Sequence, residues 1–164
     1  MTEALTARTT LLLDRARYLT LATVSPGGSP WAAVLQYAWL PSPLRFVFGS
    51  AVESRHSRDI AANPVVSGSL FTADTTDFTA VDGAQFTGRC TEIGLGNLDE
   101  YRSAFYEQVF PDAGQRAEWS LAPSSLLGTA PHRLYLVEVD RWWLVDTSTW
   151  AEDRIDRRVE VPTT

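Results

Sequence analysis

Ser50, Ser54, Arg55, His56, Ser57 and Arg58 fall within residues 50–58 and bring together hydroxyls, guanidinium groups and an imidazole, the groups with which a protein binds an anion. They lie inside LRFVFGSAVESRHSRDIAANPVV, residues 44–66. Leu44, Phe46 and Phe48 alternate as one face of a buried strand, and Gly49-Ser50 ends it. Ser54 reads as a helix N-cap, with Arg55, His56, Ser57 and Arg58 in the first turn. A helix start carries free backbone N–H groups and favours acidic neighbours, so basic residues there are locally unfavourable unless an anion is bound. Such a strand, turn and helix start is the chemistry of a phosphate socket. From spacing alone the stretch also reads as an ordinary capped helix with solvated basic residues.

The elements that must hold this unit are legible on both sides of it. Asn63-Pro64 stops the helix, and Val65 to Phe71 reads as the next strand. Upstream, Leu5, Thr9, Leu12, Leu13 and Ala16 fall at helical spacing, predicting an amphipathic helix from about Thr2 to Ala16. Tyr18 to Val24, the turn Ser25-Pro26-Gly27-Gly28 and Pro30 to Trp39 predict a hairpin. Downstream, residues 72–77 read as a polar turn, and Phe78 to Ile93 as one long strand with bulges at Gly83 and Gly88. Leu98, Tyr101, Phe105 and Val109 mark a second helix, stopped at Phe110-Pro111. Residues 111–130 read as an irregular cover. Arg133 to Val139 and Arg141 to Asp146 read as two strands across a tight turn at Asp140, followed by a charged tail, residues 151–164. Six or seven strands in hairpin-like succession with about three helices predict one mainly β domain over residues 1–164, a small antiparallel barrel with helical plugs.

Composition narrows the function. The 164 residues suffice for one domain with a real core, and 45% hydrophobic content excludes a disordered chain. No apolar run approaches the roughly 20 residues of a membrane helix, and the first residues lack the features of a signal peptide. The expectation is a cytoplasmic protein that does not bind membrane. A net charge of −6 argues against general nucleic-acid binding. Cys90 is the only cysteine and reads as a buried thiol, and the two histidines and scattered carboxylates show no metal-ligand spacing. Ser120, Ser124 and Ser125 lack a nucleophile elbow.

In order, YLTLATVSPGGSPWAAVLQYAW, the socket stretch, GAQFTGRCTEI, YRSAFYEQVFPD and HRLYLVEVDRWWLVD resemble the FMN-binding split-barrel superfamily typified by pyridoxamine 5'-phosphate oxidase, over roughly residues 10–150. The SRH socket and the GAQFTG strand are closer to a small, poorly characterised bacterial branch than to the vitamin B6 oxidases. The resemblance implies a six- to seven-stranded antiparallel split β-barrel, FMN as cofactor, and a homodimer with flavin sites at its interface. It implies that Gly49, Ser50, Ser54, Arg55 and His56 hold the phosphate. The strand with Trp31, Ala32, Ala33, Val34 and Gln36 would run beside the isoalloxazine ring, with Gln85 at the ring's polar edge. Trp142, Trp150 or Arg154 would reach a partner's flavin. Gln85 also reads as a residue that satisfies barrel backbone groups. The adjacent Trp142 and Trp143 point to opposite faces of a strand and also read as packing residues. Exposed together with Trp150, they would leave apolar area that a second subunit covers.

Two positions depart from the oxidase pattern: His56 stands where the family usually has Lys, and Gln36 where the oxidases have a second phosphate-binding Lys. The chain contains no lysine. His56 would become a cation beside a phosphate dianion, since a neighbouring negative charge raises a histidine pKa. The oxidases' Arg-x-His tail is absent, so pyridoxamine phosphate is not the expected substrate. The expected function is a flavin-dependent oxidoreductase passing a hydride to or from a small organic substrate. A deazaflavin-dependent reductase of the same fold and a non-catalytic flavin or small-ligand binding dimer are the alternatives.

Overall fold

Helix α1 (Thr2–Arg15) packs Leu12 and Leu13 into the core with Leu5 at its margin, as its spacing predicts. The computed structural model describes residues 2–73 and 81–163. Strand β1 (Tyr18–Val24) buries Leu19, Leu21 and Thr23 on one face and pairs antiparallel with β2 (Pro30–Gln36), from Tyr18↔Gln36 to Val24↔Pro30. Gly28 closes this hairpin at φ 82°, a conformation that disfavours any side chain.

The strand expected over residues 30–39 is two strands. It breaks at Tyr37, and β3 (Ala38–Leu40) pairs with β4 (Arg45–Ala51) instead of β1. The sheet order is β2-β1-β5-β6-β7-β4-β3, so its two end strands are separated in the chain by Tyr37 alone. A sheet whose ends are one residue apart must curl into a barrel, split along that seam. Tyr37 is buried there, its hydroxyl donating to the Leu13 carbonyl of α1 at 3.2 Å. Burial, with Asp14 nearby, pushes that hydroxyl's pKa well above the usual tyrosine value.

The next elements are α2 (Arg55–Ala62), β5 (Val65–Ala73) and β6 (Val81–Glu92), paired from Val65↔Arg89 to Ala73↔Val81. Residues 72 and 73 of the expected polar turn belong to β5. The rest of that turn, and Phe78 to Ala80 of the expected long strand, lie outside the described residues. Helix α3 (Leu98–Val109) follows a 3-10 turn and ends at Phe110, as expected. The stretch expected as irregular cover contains α4 (Ala113–Trp119), capped by the Asp112 carboxylate, which accepts from the Gln115 N–H at 2.9 Å, and a 3-10 turn, Pro123–Leu126. No residue of α4 is buried, so it carries no apolar stripe for a sequence reading to detect.

The two strands expected around Asp140 are one, β7 (His132–Asp146). Thr87 pairs with Arg141 and Gly88 with Val139, which leaves Asp140 as the extra residue of a β-bulge. A Cβ on Gly88 would collide with the Glu138 carbonyl oxygen, so the bulge requires glycine there. Gly83 makes no bulge and pairs in register with Phe71. The segment expected as a charged tail forms α5 (Trp150–Asp153) and β8 (Arg157–Val161), and β8 pairs with the second half of β7 while β4 pairs with the first. Arginine and carboxylate side chains alternate with Val159 and the buried Val161 on β8, which is the pattern of a half-buried strand.

Two apolar layers hold the sheet. The barrel interior takes Leu21, Phe46, Phe48, Phe86, Tyr135, Trp142 and Leu144, with α1 as its plug. On the opposite face Val47 and Leu134 pack under α3, against Tyr101 and Phe105.

Candidate functional site

Strand β4 delivers Gly49 and Ser50 to the end of the barrel, and a tight turn, in which the Ser54 N–H donates to the Ala51 carbonyl at 3.1 Å, returns the chain into α2. Ser54 is the N-cap: its backbone is extended and its hydroxyl oxygen accepts from the Ser57 N–H at 3.3 Å. No acidic residue occupies the first turn of α2. Here Ser50 Oγ lies 3.1 Å from Ser54 Oγ, and His56 Nε2 lies 2.7 Å from Ser50 Oγ and 3.1 Å from Ser54 Oγ. The Ser54 hydroxyl also donates to Ser57 Oγ at 2.8 Å. The turn therefore gathers three hydroxyls and an imidazole at the start of a helix.

His56 is buried against Phe48, and burial lowers its pKa while Asp59 opposes the shift. Burial thus favours the neutral form of the ring, whose Nε2 lies within hydrogen-bond distance of two serine hydroxyls. Asp59 is itself buried and accepts from Thr23 Oγ1 at 2.9 Å, which ties α2 to β1. Neither Thr23 nor Asp59 carries a signal in the sequence as a support for the socket, because the contact joins residues 36 positions apart.

Arg55 points across to β2. Its guanidinium carbon sits 4.6 Å from the centre of the Trp31 ring, and one nitrogen donates to the Pro30 carbonyl at 3.4 Å. Arg58 turns outward toward Glu53, 3.7 Å away. Trp31, Ala32, Val34 and Gln36 are exposed and Ala33 is half-buried. Strand β2 pairs with β1 alone, so its other edge keeps backbone donors and acceptors for a ligand.

Gln85 shares the outer sheet face with β2. The cross-strand partners Val34, Thr20, Ser69, Gln85 and Trp143 form one row, and Ala32, Ala22, Ser67, Thr87 and Arg141 the next. Two strands, β1 and β5, separate Gln85 from β2, a span of about 14 Å at the usual strand spacing of about 4.8 Å. A groove of about 540 Å³ lies over this face between Thr20, Ala22, Ser67, Ser69, Gln85, Thr87, Trp143 and Arg158.

Trp142 is corrected by the structure. It is fully buried in the barrel interior, with its indole N–H donating to Thr9 Oγ1 at 3.0 Å, and has no surface with which to reach a partner's flavin. The outward member of the pair is Trp143, which the sequence placed only as one of two alternatives. Trp150 is exposed at the start of α5, with Arg154 over its ring at 4.8 Å. Arg158 was missed because it stands in the segment read as a tail.

Among the described residues no group of histidine, cysteine, aspartate and glutamate side chains is placed to hold a metal ion, and no helix is long and apolar enough to cross a membrane.

Among solved structures, a heme binding protein from Mycobacterium smegmatis superposes with a TM-score of 0.70 at 18% identity, covering 96% of this chain and 56% of its own. A protein of unknown function from Agrobacterium tumefaciens gives 0.65 at 19%, covering 88% and 57%. An FAD-binding protein from Mesorhizobium loti gives 0.60 at 19%, covering 81% and 88%. The chain thus spans little more than half the length of the first two. At these identities the likeness shows the fold, a mainly antiparallel split barrel with helices. No protein of curated function matches the chain in sequence. The sequence model of the pyridoxamine 5'-phosphate oxidase family matches residues 5–144, which takes in the socket, β2, Gln85 and Trp143, and the chain belongs to that family.

Proposed function

We propose that this chain binds FMN, with the phosphate in the Ser50–Ser54–Arg55 socket and the ring beside β2, and that it acts as a flavin-dependent oxidoreductase on a small organic substrate. The observation that carries the reading is the convergence of Ser50 Oγ, Ser54 Oγ and His56 Nε2 within 3.1 Å at a helix start free of acidic residues, with Arg55 alongside. This donor set suits a phosphate ester: hydroxyls, backbone N–H groups of the first turn and a planar guanidinium. Burial disfavours the charged form of His56, so most of the charge complementarity falls to Arg55 and the helix start. When bound, FMN supplies the hydride-accepting and hydride-donating centre, and the protein binds and orients. The family setting supports a homodimer with flavin at the interface.

The test is an FMN titration of the purified protein followed by flavin fluorescence. Saturable quenching at micromolar FMN is the expected result, and no saturation overturns the reading. Bound FMN that neither reduced nicotinamide nor candidate substrates can bleach would instead favour a non-catalytic flavin carrier. The Mycobacterium smegmatis relative prompts a heme reading, which this chain supports less well: His56 Nε2 is engaged by two serines, and His132 is exposed at the start of β7.

A further inference from the structure

The groove on the outer sheet face is built differently from the socket. Its floor is small and hydroxylated, with Thr20, Ala22, Ser67 and Ser69, and Trp143 rises as an aromatic wall. Gly68 lies between the outward Ser67 and Ser69, and only a glycine fits there, because a Cβ would run into the buried Phe86 ring and the Thr20 carbonyl. Arg158 Nε donates to Gln85 Oε1 at 2.9 Å, and Nη1 donates to Asp156 and to the Arg157 carbonyl. Arg158 Nη2 and the Gln85 amide nitrogen have no acceptor among the described residues. The guanidinium is thus ion-paired with Asp156, and among the described residues its Nη2 and the Gln85 amide nitrogen keep spare donor capacity near an indole ring, at a space of small-molecule size. Arg141, in the neighbouring cross-strand row, is taken up by Glu160 through two hydrogen bonds, at 2.9 and 2.8 Å, and by stacking on Trp143. Strand β8, which supplies Arg158, lies past residues 5–144, the part that the family model matches.

We propose that this groove is a binding site for an aromatic carboxylate, with the carboxylate on Arg158 and Gln85 and the ring against Trp143. The inference deepens the flavin reading, on which it rests for calling the occupant a substrate: the groove floor continues directly from β2 through the Ala32↔Ala22 and Val34↔Thr20 pairs. A guanidinium beside an amide donor selects a carboxylate over a neutral amide of the same shape.

The experiment is calorimetric titration of the full chain with 2-naphthoate and with neutral 2-naphthamide, before and after loading with FMN. Naphthoate should bind saturably in both states, with naphthamide weaker by about tenfold or more. Arg158→Gln should weaken naphthoate by about tenfold or more while FMN affinity stays unchanged, and Arg158→Lys should recover part of the loss. Equal binding of acid and amide, indifference to Arg158→Gln, or competition between naphthoate and FMN would each overturn the proposal. So would absence of naphthoate binding in a dimer that Arg158→Gln dissociates, since a second copy would then occupy the face. Naphthoate binding without FMN binding would leave the site standing and remove the flavin reading.

Discussion

His56 Nε2 lies 2.7 Å from Ser50 Oγ, and this contact ties the first turn of α2 to the end of β4. The same nitrogen reaches Ser54 Oγ at 3.1 Å, so one buried ring fixes the hydroxyls of a strand end and of a helix cap. Replacing His56 with alanine removes both contacts and opens space beside Phe48. Each lost hydrogen bond costs about 0.5–1.5 kcal/mol net, so chemical denaturation should report a loss of about 1–3 kcal/mol. FMN affinity should fall by about tenfold because the serines lose their orientation. His56→Lys, which restores the family's more common residue, should regain less stability than affinity, since a lysine must be desolvated at this buried position.

The same burial sets a pH dependence. The folded pKa of His56 is lowered, by desolvation first, with Asp59 opposing, while the unfolded imidazole titrates near about 6.5. Between the two values the unfolded chain binds more protons, so stability rises with pH there. The contribution is complete above about pH 6.5 and is lost as pH falls from there toward the folded value. Urea midpoints should therefore decline below about pH 6.5, and His56→Gln should flatten that decline. An unchanged slope in the variant would show that other groups cause it.

Arg55 is held over Trp31 at 4.6 Å, which gives the socket an optical reporter. Arg55→Ala should weaken FMN by about tenfold to a hundredfold, because a charge-assisted phosphate contact is lost. Arg55→Lys should restore only part of it, since an ammonium lacks the planar fork. Phosphate binding that draws Arg55 off the ring should also change Trp31 emission, and Trp31→Phe should abolish that change.

The cluster of Ser50, Ser54 and His56 was legible in the sequence because its parts are local: a strand end, a cap and a first turn lie within a few residues of each other. Its supports were not. The Thr23–Asp59 bond and the Gln85–Arg158 bond join residues 36 and 73 positions apart, and no local pattern announces them. Fold class followed from alternating apolar residues, whereas strand boundaries depended on partners. Asp140 looks like a turn residue and is a bulge because β6 pairs on both sides of it. Tyr37 looks like part of a strand and is the seam of the barrel. Arg157–Val161 reads as a tail until β7 offers it an edge.

Cys90 lies in the barrel interior, and burial pushes its thiol up to about 12. The thiolate is the reactive form, so the folded protein should resist an aromatic disulfide reagent at about pH 8, where a free cysteine reacts readily. Denaturant should release one equivalent promptly. Fast labelling of the native chain would show that β6 opens locally or that the interior is accessible.

Trp142 and Trp143 offer a direct separation of packing from binding. Trp142 stacks on Phe86 at 6.5 Å between ring centres, sits 6.1 Å from Phe46, and donates to Thr9 in α1. Trp142→Phe shrinks a fully buried ring and leaves the Thr9 hydroxyl without its donor, so it should destabilise by about 2–3 kcal/mol. It should leave FMN affinity unchanged once the protein is folded. Trp143→Ala works on the outer face, where the lost packing is small, and should cost about 1 kcal/mol or less. Its effect should fall on ligands of the groove. If Trp142→Phe instead lowered flavin affinity at full stability, the interior ring would have to communicate with the site through β6, and the separation of the two faces would fail.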